Sequence, residues 1–166
     1  MKLQRPKQGS YELAEEGNTR AVLVDVVDMG MLPDVFAEEG ELVHKLQLKF
    51  QTEDETSEGK PFLVATYPLK ASLDSRANLY KIIKVLIGRD LETEDYDAEG
   101  DIDIDSLIIG QNCNVEIEHK SKGEKTYANV VSVNPLSKGD KKLEPLVPRD
   151  YVRVKDRDDT PEHTGE

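Results

Sequence analysis

Six lysines and two tyrosines are the residues of this chain best placed to do chemistry, and the chemistry they suit is binding. Lys45 and Lys49 share one face of an alternating segment, Lys70 follows Tyr67, and Lys120, Lys122 and Lys125 ring a polar turn beside His119, Tyr127 and Asn129. Ammonium groups neutralise phosphates, and aromatic rings give unpaired bases a stacking surface worth about 1 to 3 kcal/mol each. Single-stranded nucleic acid bound along Lys45, Lys49, Tyr67, Lys70, His119, Lys120, Lys122, Lys125, Tyr127 and Asn129 is one reading of this pattern. A plainer reading stands beside it: lysines also solubilise a sheet face and guard its edges, and either tyrosine can belong to the core.

Signatures of catalysis are not written in the chain. It has no phosphate-cradling G-x-x-x-x-G-K-[ST] loop, no G-x-S-x-G elbow and no H-E-x-x-H pair, so no enzymatic activity, catalytic residue or cofactor is expected. The three histidines are far apart: His44 falls on the inward side of its strand as a partly buried structural group, His119 ends a strand, and His163 lies near the C-terminus. The run from Asp97 to Asp105 alternates carboxylates, which can converge on a hard cation. Counting from Asp101, it lacks the glycine at position six and the glutamate at position twelve of a calcium loop; a solvated, self-repelling loop anchored by Ile102 and Ile104 is expected, with no metal. One cysteine, Cys113, excludes a disulfide within the chain and reads as a buried, inert thiol.

The elements that must position the lysines follow from periodicity. Residues 1 to 19 mix Pro6, Gly9 and Gly17 without a period and read as an arm, mobile or pinned only by Tyr11 and Leu13. Arg20 to Met29 is a β-branched run and a first strand; Gly30 to Gly40 is a loop. Leu42 to Phe50 alternates, with Leu42, Leu46, Leu48 and Phe50 inward and Val43, Lys45, Gln47 and Lys49 outward. Lys60 to Tyr67 is a third strand that Pro61 can only begin. The period then changes: from an N-cap at Asp74 or Ser75, Leu79, Ile82, Ile83 and Leu86 recur at helical spacing up to Gly88, a helix of about four turns. Asp90 to Asp105 carries nine acidic residues and no basic one. Runs at 112 to 119 and 125 to 133 flank Gly123 and form a hairpin, and Tyr151 to Val154 reads as a last strand.

Strand, strand, strand, helix, strand, strand is the element order of an OB-fold, a mainly β, five-stranded barrel whose helix lies between its third and fourth strands. The expected organisation is an arm over 1–19, an OB-fold-like domain over 20–155 and an acidic disordered tail over 156–166. At 166 residues a second full domain is not expected, and no apolar run approaches the roughly 18 to 20 residues that span a bilayer. With no apolar stretch behind the basic N-terminus to act as a secretory signal, a cytoplasmic protein without membrane contact is expected. The formal net charge of −12 repels nucleic acid at long range, so binding must rest on a local basic face.

Three segments together resemble a family of small bacteriophage proteins: the helix Asn78 to Arg89, Leu107 to Lys120 after the acidic insert, and the strand that opens Lys125-Thr-Tyr-Ala-Asn. Those are OB-fold proteins regarded as single-stranded DNA-binding, replication or recombination accessories, and the likeness spans roughly residues 20 to 139. It implies sequence-tolerant DNA binding without catalysis, with His119, Lys120, Lys125, Tyr127 and Asn129 matching the family's hairpin. In the host cell cytoplasm, such a protein would serve phage DNA replication or recombination. From Asp156 to Glu166 five acidic groups face one Arg157, and similar tails of single-stranded DNA-binding proteins recruit replication or recombination partners and compete with DNA. Those tails often end on an aromatic residue, whereas this one ends Thr-Gly-Glu. Homodimerisation is compatible with the sequence. The rival expectation is an OB-like protein–protein interaction or structural module of a phage or mobile element, binding a basic protein through its acidic insert and not nucleic acid.

Overall fold

The computed structural model describes residues 1–3, 12–34, 40–145, 153 and 155. The expected strand at Tyr151 to Val154, apart from Arg153, lies outside these residues, as do Tyr11, the acidic tail over 156–166 and His163.

Strands β1 (Gly17–Pro33), β2 (Leu42–Glu55) and β3 (Pro61–Thr66) are followed by a short β4 (Leu69–Lys70), helices α1 (Asn78–Ile87) and α2 (Ile104–Ile108), and a hairpin of β5 (Asn112–Lys122) and β6 (Lys125–Asn134). β1 pairs with both β2 and β5, β2 with β3, β3 with β6 and β6 with β5, so the sheet closes on itself. All of these pairings are antiparallel except β3–β6. A five-stranded closed barrel with its helices between the third and fourth long strands is OB-fold-like.

Inward positions follow the pleat. Leu23, Leu48, Phe50, Val115 and Ile117 are fully buried, and α1 contributes Leu79, Ile83 and Leu86 from one face. α1 stops at Gly88, whose φ of 78° is one that favours glycine and whose N–H closes onto the Lys84 carbonyl at 2.8 Å. Its start differs from expectation. Asp74 accepts from the N–H of Arg76 at 2.9 Å in a turn ahead of the helix, and Ala77 takes the cap position without a side-chain bond. α1 therefore has ten residues, fewer than four turns.

Three further readings change. β1 continues through the expected loop to Pro33, because its register with β2 shifts between Leu23 and Asp25 and between Asp28 and Gly30, and such irregularities let a long strand coil into a ribbon beyond the barrel. On that ribbon Leu42 is 50% exposed and His44 is not inward; its Nε2 lies 2.7 Å from the Asp28 carboxylate at the surface. The segment expected to be a plain acidic loop runs at its end into the first residues of α2, capped by Asp103, which accepts from the Ser106 hydroxyl at 2.7 Å. Arg89 pairs with Asp95 at 2.8 Å, Tyr80 donates to Asp90 at 2.8 Å, and Asp97 accepts the N–H groups of Glu99 and Asp101, so this insert is folded by its own carboxylates.

Residues after β6 lie across the outside of the barrel. Val22 and Val24 point outward and pack against Leu143. Asn112 bonds the Leu143 main chain in both directions, at 3.1 and 2.7 Å, and Gln51 donates to the Glu144 carbonyl at 3.0 Å. The residues just before β1 are tied down as well: Ala14 is 2% exposed within the core. No helix among the described residues is long and apolar enough to cross a membrane.

Candidate nucleic-acid interface

Register decides which lysines meet. Residues directly opposite in a ladder point to the same side, and so do residues two apart on one strand. In the hairpin Lys122 faces Lys125, Lys120 faces Tyr127, and Glu118 faces Asn129. All six therefore stand on one side, while His119, Ser121, Thr126 and Ala128 stand on the other. Val130, two residues from Ala128, is buried, which fixes the first side as outward. Tyr127 is thus a surface ring, 39% exposed, and not a core residue.

The same rule extends the surface across the barrel. On β2, Leu46, Leu48 and Phe50 are buried, so Lys45, Gln47 and Lys49 face out. Lys45 is the Cα partner of Lys70 on β4, and Lys49 that of Ala65 on β3, which is in turn the partner of Asn129 on β6. Beyond the end of β3, Tyr67 is 44% exposed and its hydroxyl accepts from the Asn129 amide at 3.3 Å. Lys45, Lys49, Tyr67, Lys70, Lys120, Lys122, Lys125, Tyr127 and Asn129 accordingly share one outward surface running over β4, β2, β3, β6 and β5. Glu118 is a carboxylate set among them.

His119 does not join this surface. Its ring Nε2 bonds the Ala14 carbonyl at 2.7 Å, which places the proton on that nitrogen, and its main-chain N–H donates to Glu16 at 2.9 Å. It holds the segment before β1 in place instead. At the other end of that segment, Glu12 accepts from the Ser57 main chain at 2.9 Å and from its hydroxyl, bonds that lower the Glu12 carboxyl below its usual range. Replacing His119 by alanine should cost about 1 kcal/mol, the net worth of one hydrogen bond. Hydrogen exchange at residues 12 to 16 should accelerate relative to the barrel strands; unchanged exchange there would assign the pinning to Glu12, Ala14 and the main-chain bond to Glu16.

A cleft of about 1040 Å³ opens in the middle of the surface. Gln47 and Lys49 line it from β2, Lys60 from the turn just before β3, Leu63 and Ala65 from β3, Tyr127 and Asn129 from β6, and Glu12 to Ala14 from below. Lys60 and Leu63 were not among the residues expected at the site. Alternation held the signal for Leu63: with Phe62, Val64 and Thr66 turned inward, Leu63 falls in line with Ala65 and Tyr67. Lys60 precedes the strand, where no period applies.

No group of three or more His, Cys, Asp or Glu side chains among the described residues is arranged to hold a metal ion. Cys113 is fully buried on β5, and burial pushes its thiol up to about 12, so it carries no thiolate at neutral pH. No protein-family model matches the chain, and no curated protein is significantly similar to it.

Proposed function

We propose that the protein binds single-stranded DNA without catalysis and with tolerance of sequence, using the outward surface of β2, β3, β6 and β5. The observation that carries this reading is the gathering of six lysines, two exposed tyrosines and Asn129 onto one side of a closed barrel, around a cleft, in a chain whose net charge is −12. Lysines scattered only to keep a sheet soluble have no reason to converge on the exposed rings. The strand 2–3 face and the loops beside it are where OB barrels bind oligonucleotides. The likeness of the helix and hairpin to phage single-stranded DNA-binding proteins supports a setting in phage replication or recombination.

The acidic insert favours this over a basic protein partner. Its carboxylates at Asp90, Asp95 and Asp105 are already paired with Lys84, Arg89 and Arg153 respectively, which leaves less charge to offer a second molecule.

Salt titration tests the proposal. Each phosphate neutralised on a single strand releases about 0.7 of a counterion, so contact by about four to six lysines predicts a slope of log K against log salt near −3 to −4. Fluorescence anisotropy of a labelled oligo-dT strand between 50 mM and 200 mM salt should show that slope. A flat titration, or no binding at the lowest salt, would remove the proposal.

A further inference from the structure

The parallel seam between β3 and β6 has only two residue pairs, Ala65 with Asn129 and Thr66 with Val130. On the Pro61 side of that seam the two strands part, and the cleft fills the gap. What the gap offers follows from the hairpin turn. Gly123 has a φ of 66° and Glu124 has no positive φ, the φ pattern of a II′ two-residue turn. Such a turn makes Lys122 with Lys125, Lys120 with Tyr127, and Glu118 with Asn129 the mutually bonded pairs. Alternation then directs the main-chain N–H and C=O of Thr126 and Ala128 away from β5, toward β3, where the parallel pairing of Ala65 with Asn129 takes up the Ala128 carbonyl, while the Thr126 groups and the Ala128 N–H face the gap. The N–H of His119, opposite Ala128, points the reverse way and reaches Glu16 at 2.9 Å, as the alternation requires.

The gap therefore has amide donors and acceptors along its β6 edge and apolar walls, with Leu63 47% exposed on one side and the Tyr127 ring on the other. Its inner wall carries the Glu12 carboxylate, held in its charged form by two bonds from Ser57. A phosphate is repelled by that wall and attracted to the lysines on the surrounding surface. A nucleobase suits the interior, since it has flat apolar faces and an edge of hydrogen-bonding groups.

We infer that the parted region of the β3–β6 seam is a nucleobase-binding cleft, into which bases of a bound strand turn while the sugar–phosphate chain stays on the lysines outside. This rests on the single-strand reading above and adds the orientation of the strand. Segment 12–14 is the cleft's far wall, so the residues before β1 complete the site and do not merely precede it.

Two strands of equal length and equal phosphate number separate the terms: labelled oligo-dT, and the same oligomer made of abasic units. The abasic strand should bind about tenfold more weakly or worse, a difference within the value of one stacked base, with the same salt slope. Ala65 lies at the apex of the cleft, and Ala65→Leu should fill it and bring the ratio of the two affinities close to one. Equal binding of the two strands by the unaltered protein would overturn the cleft and leave the lysine surface standing. Absence of binding by both strands would remove the single-strand reading and the cleft with it. A ratio untouched in a folded Ala65→Leu protein, verified by circular dichroism, would place the bases elsewhere on the surface.

Discussion

Replacing Lys120, Lys122 and Lys125 together by alanine is expected to weaken binding of oligo-dT by about 100-fold to 1000-fold at 50 mM salt and to reduce the salt slope by about 2, from the loss of three phosphate contacts at about 0.7 each. Geometry is the reason for choosing these three. They stand on one side of the hairpin with Tyr127, and all three are exposed. Their removal should cost the fold less than about 0.5 kcal/mol, the usual limit for exposed substitutions, so lost affinity will not be lost structure. Lys81 gives the control: it is exposed on α1, off the barrel surface that carries the site, and Lys81→Ala should leave the slope in place. At high salt the triple variant and the unaltered protein should converge, because what was removed is counterion release. A variant that lost affinity but kept its slope would show the hairpin lysines acting through something other than phosphates.

How far the sequence could be read depended on whether local pattern or long-range pairing decided each feature. Alternation in β2 and the change to helical period at Leu79 are local, and both led to the barrel and its helix. The hairpin's two strands and turn were legible for the same reason, since Gly123 marks the turn that fixes the register of everything on it. Which side of the hairpin faced solvent was not legible, because Tyr127 and Ala128 are equally acceptable on an inner face until the pairing of Val130 with Ile117 is known. His44 was misplaced by a similar gap. Its alternation with Leu46 is regular, but the barrel ends before it does, and an inward position on a ribbon that projects past the core is a surface position. His119 shows the converse: beside Lys120 it looked like part of a basic cluster, and only the path of residues 12 to 16 across the barrel gives its ring a partner. The cleft was invisible to periodicity altogether, since it arises from two strands distant in sequence parting after two paired residues.

The second large effect concerns stability and a single arginine. Asp25 is fully buried on β1, beside one of the register shifts that let the strand bend, and Nε of Arg153 lies 3.2 Å from its carboxylate. The same guanidinium bonds Asp105 on α2, with Lys155 at 3.9 Å from that carboxylate. One side chain thus joins the first strand to the helix after the acidic insert. Two charges held in this way offset each other's desolvation, and removing the arginine costs more than the worth of the pair, because it takes a cation from a carboxylate that stays buried. Arg153→Leu should therefore destabilise the protein by about 3 kcal/mol, read as a lower urea midpoint with an unchanged m-value. Asp25→Asn made in the Arg153→Leu background should recover a large part of that loss, since the neutral amide no longer demands a cation. If Arg153→Leu costs less than about 1 kcal/mol, the ordinary value of an exposed pair, then water reaches Asp25 once the arginine is gone. Recovery in the double variant separates a stranded charge from lost packing: a purely steric role for Arg153 predicts no gain from Asp25→Asn, whereas a stranded carboxylate predicts that the second substitution stabilises what the first one damaged.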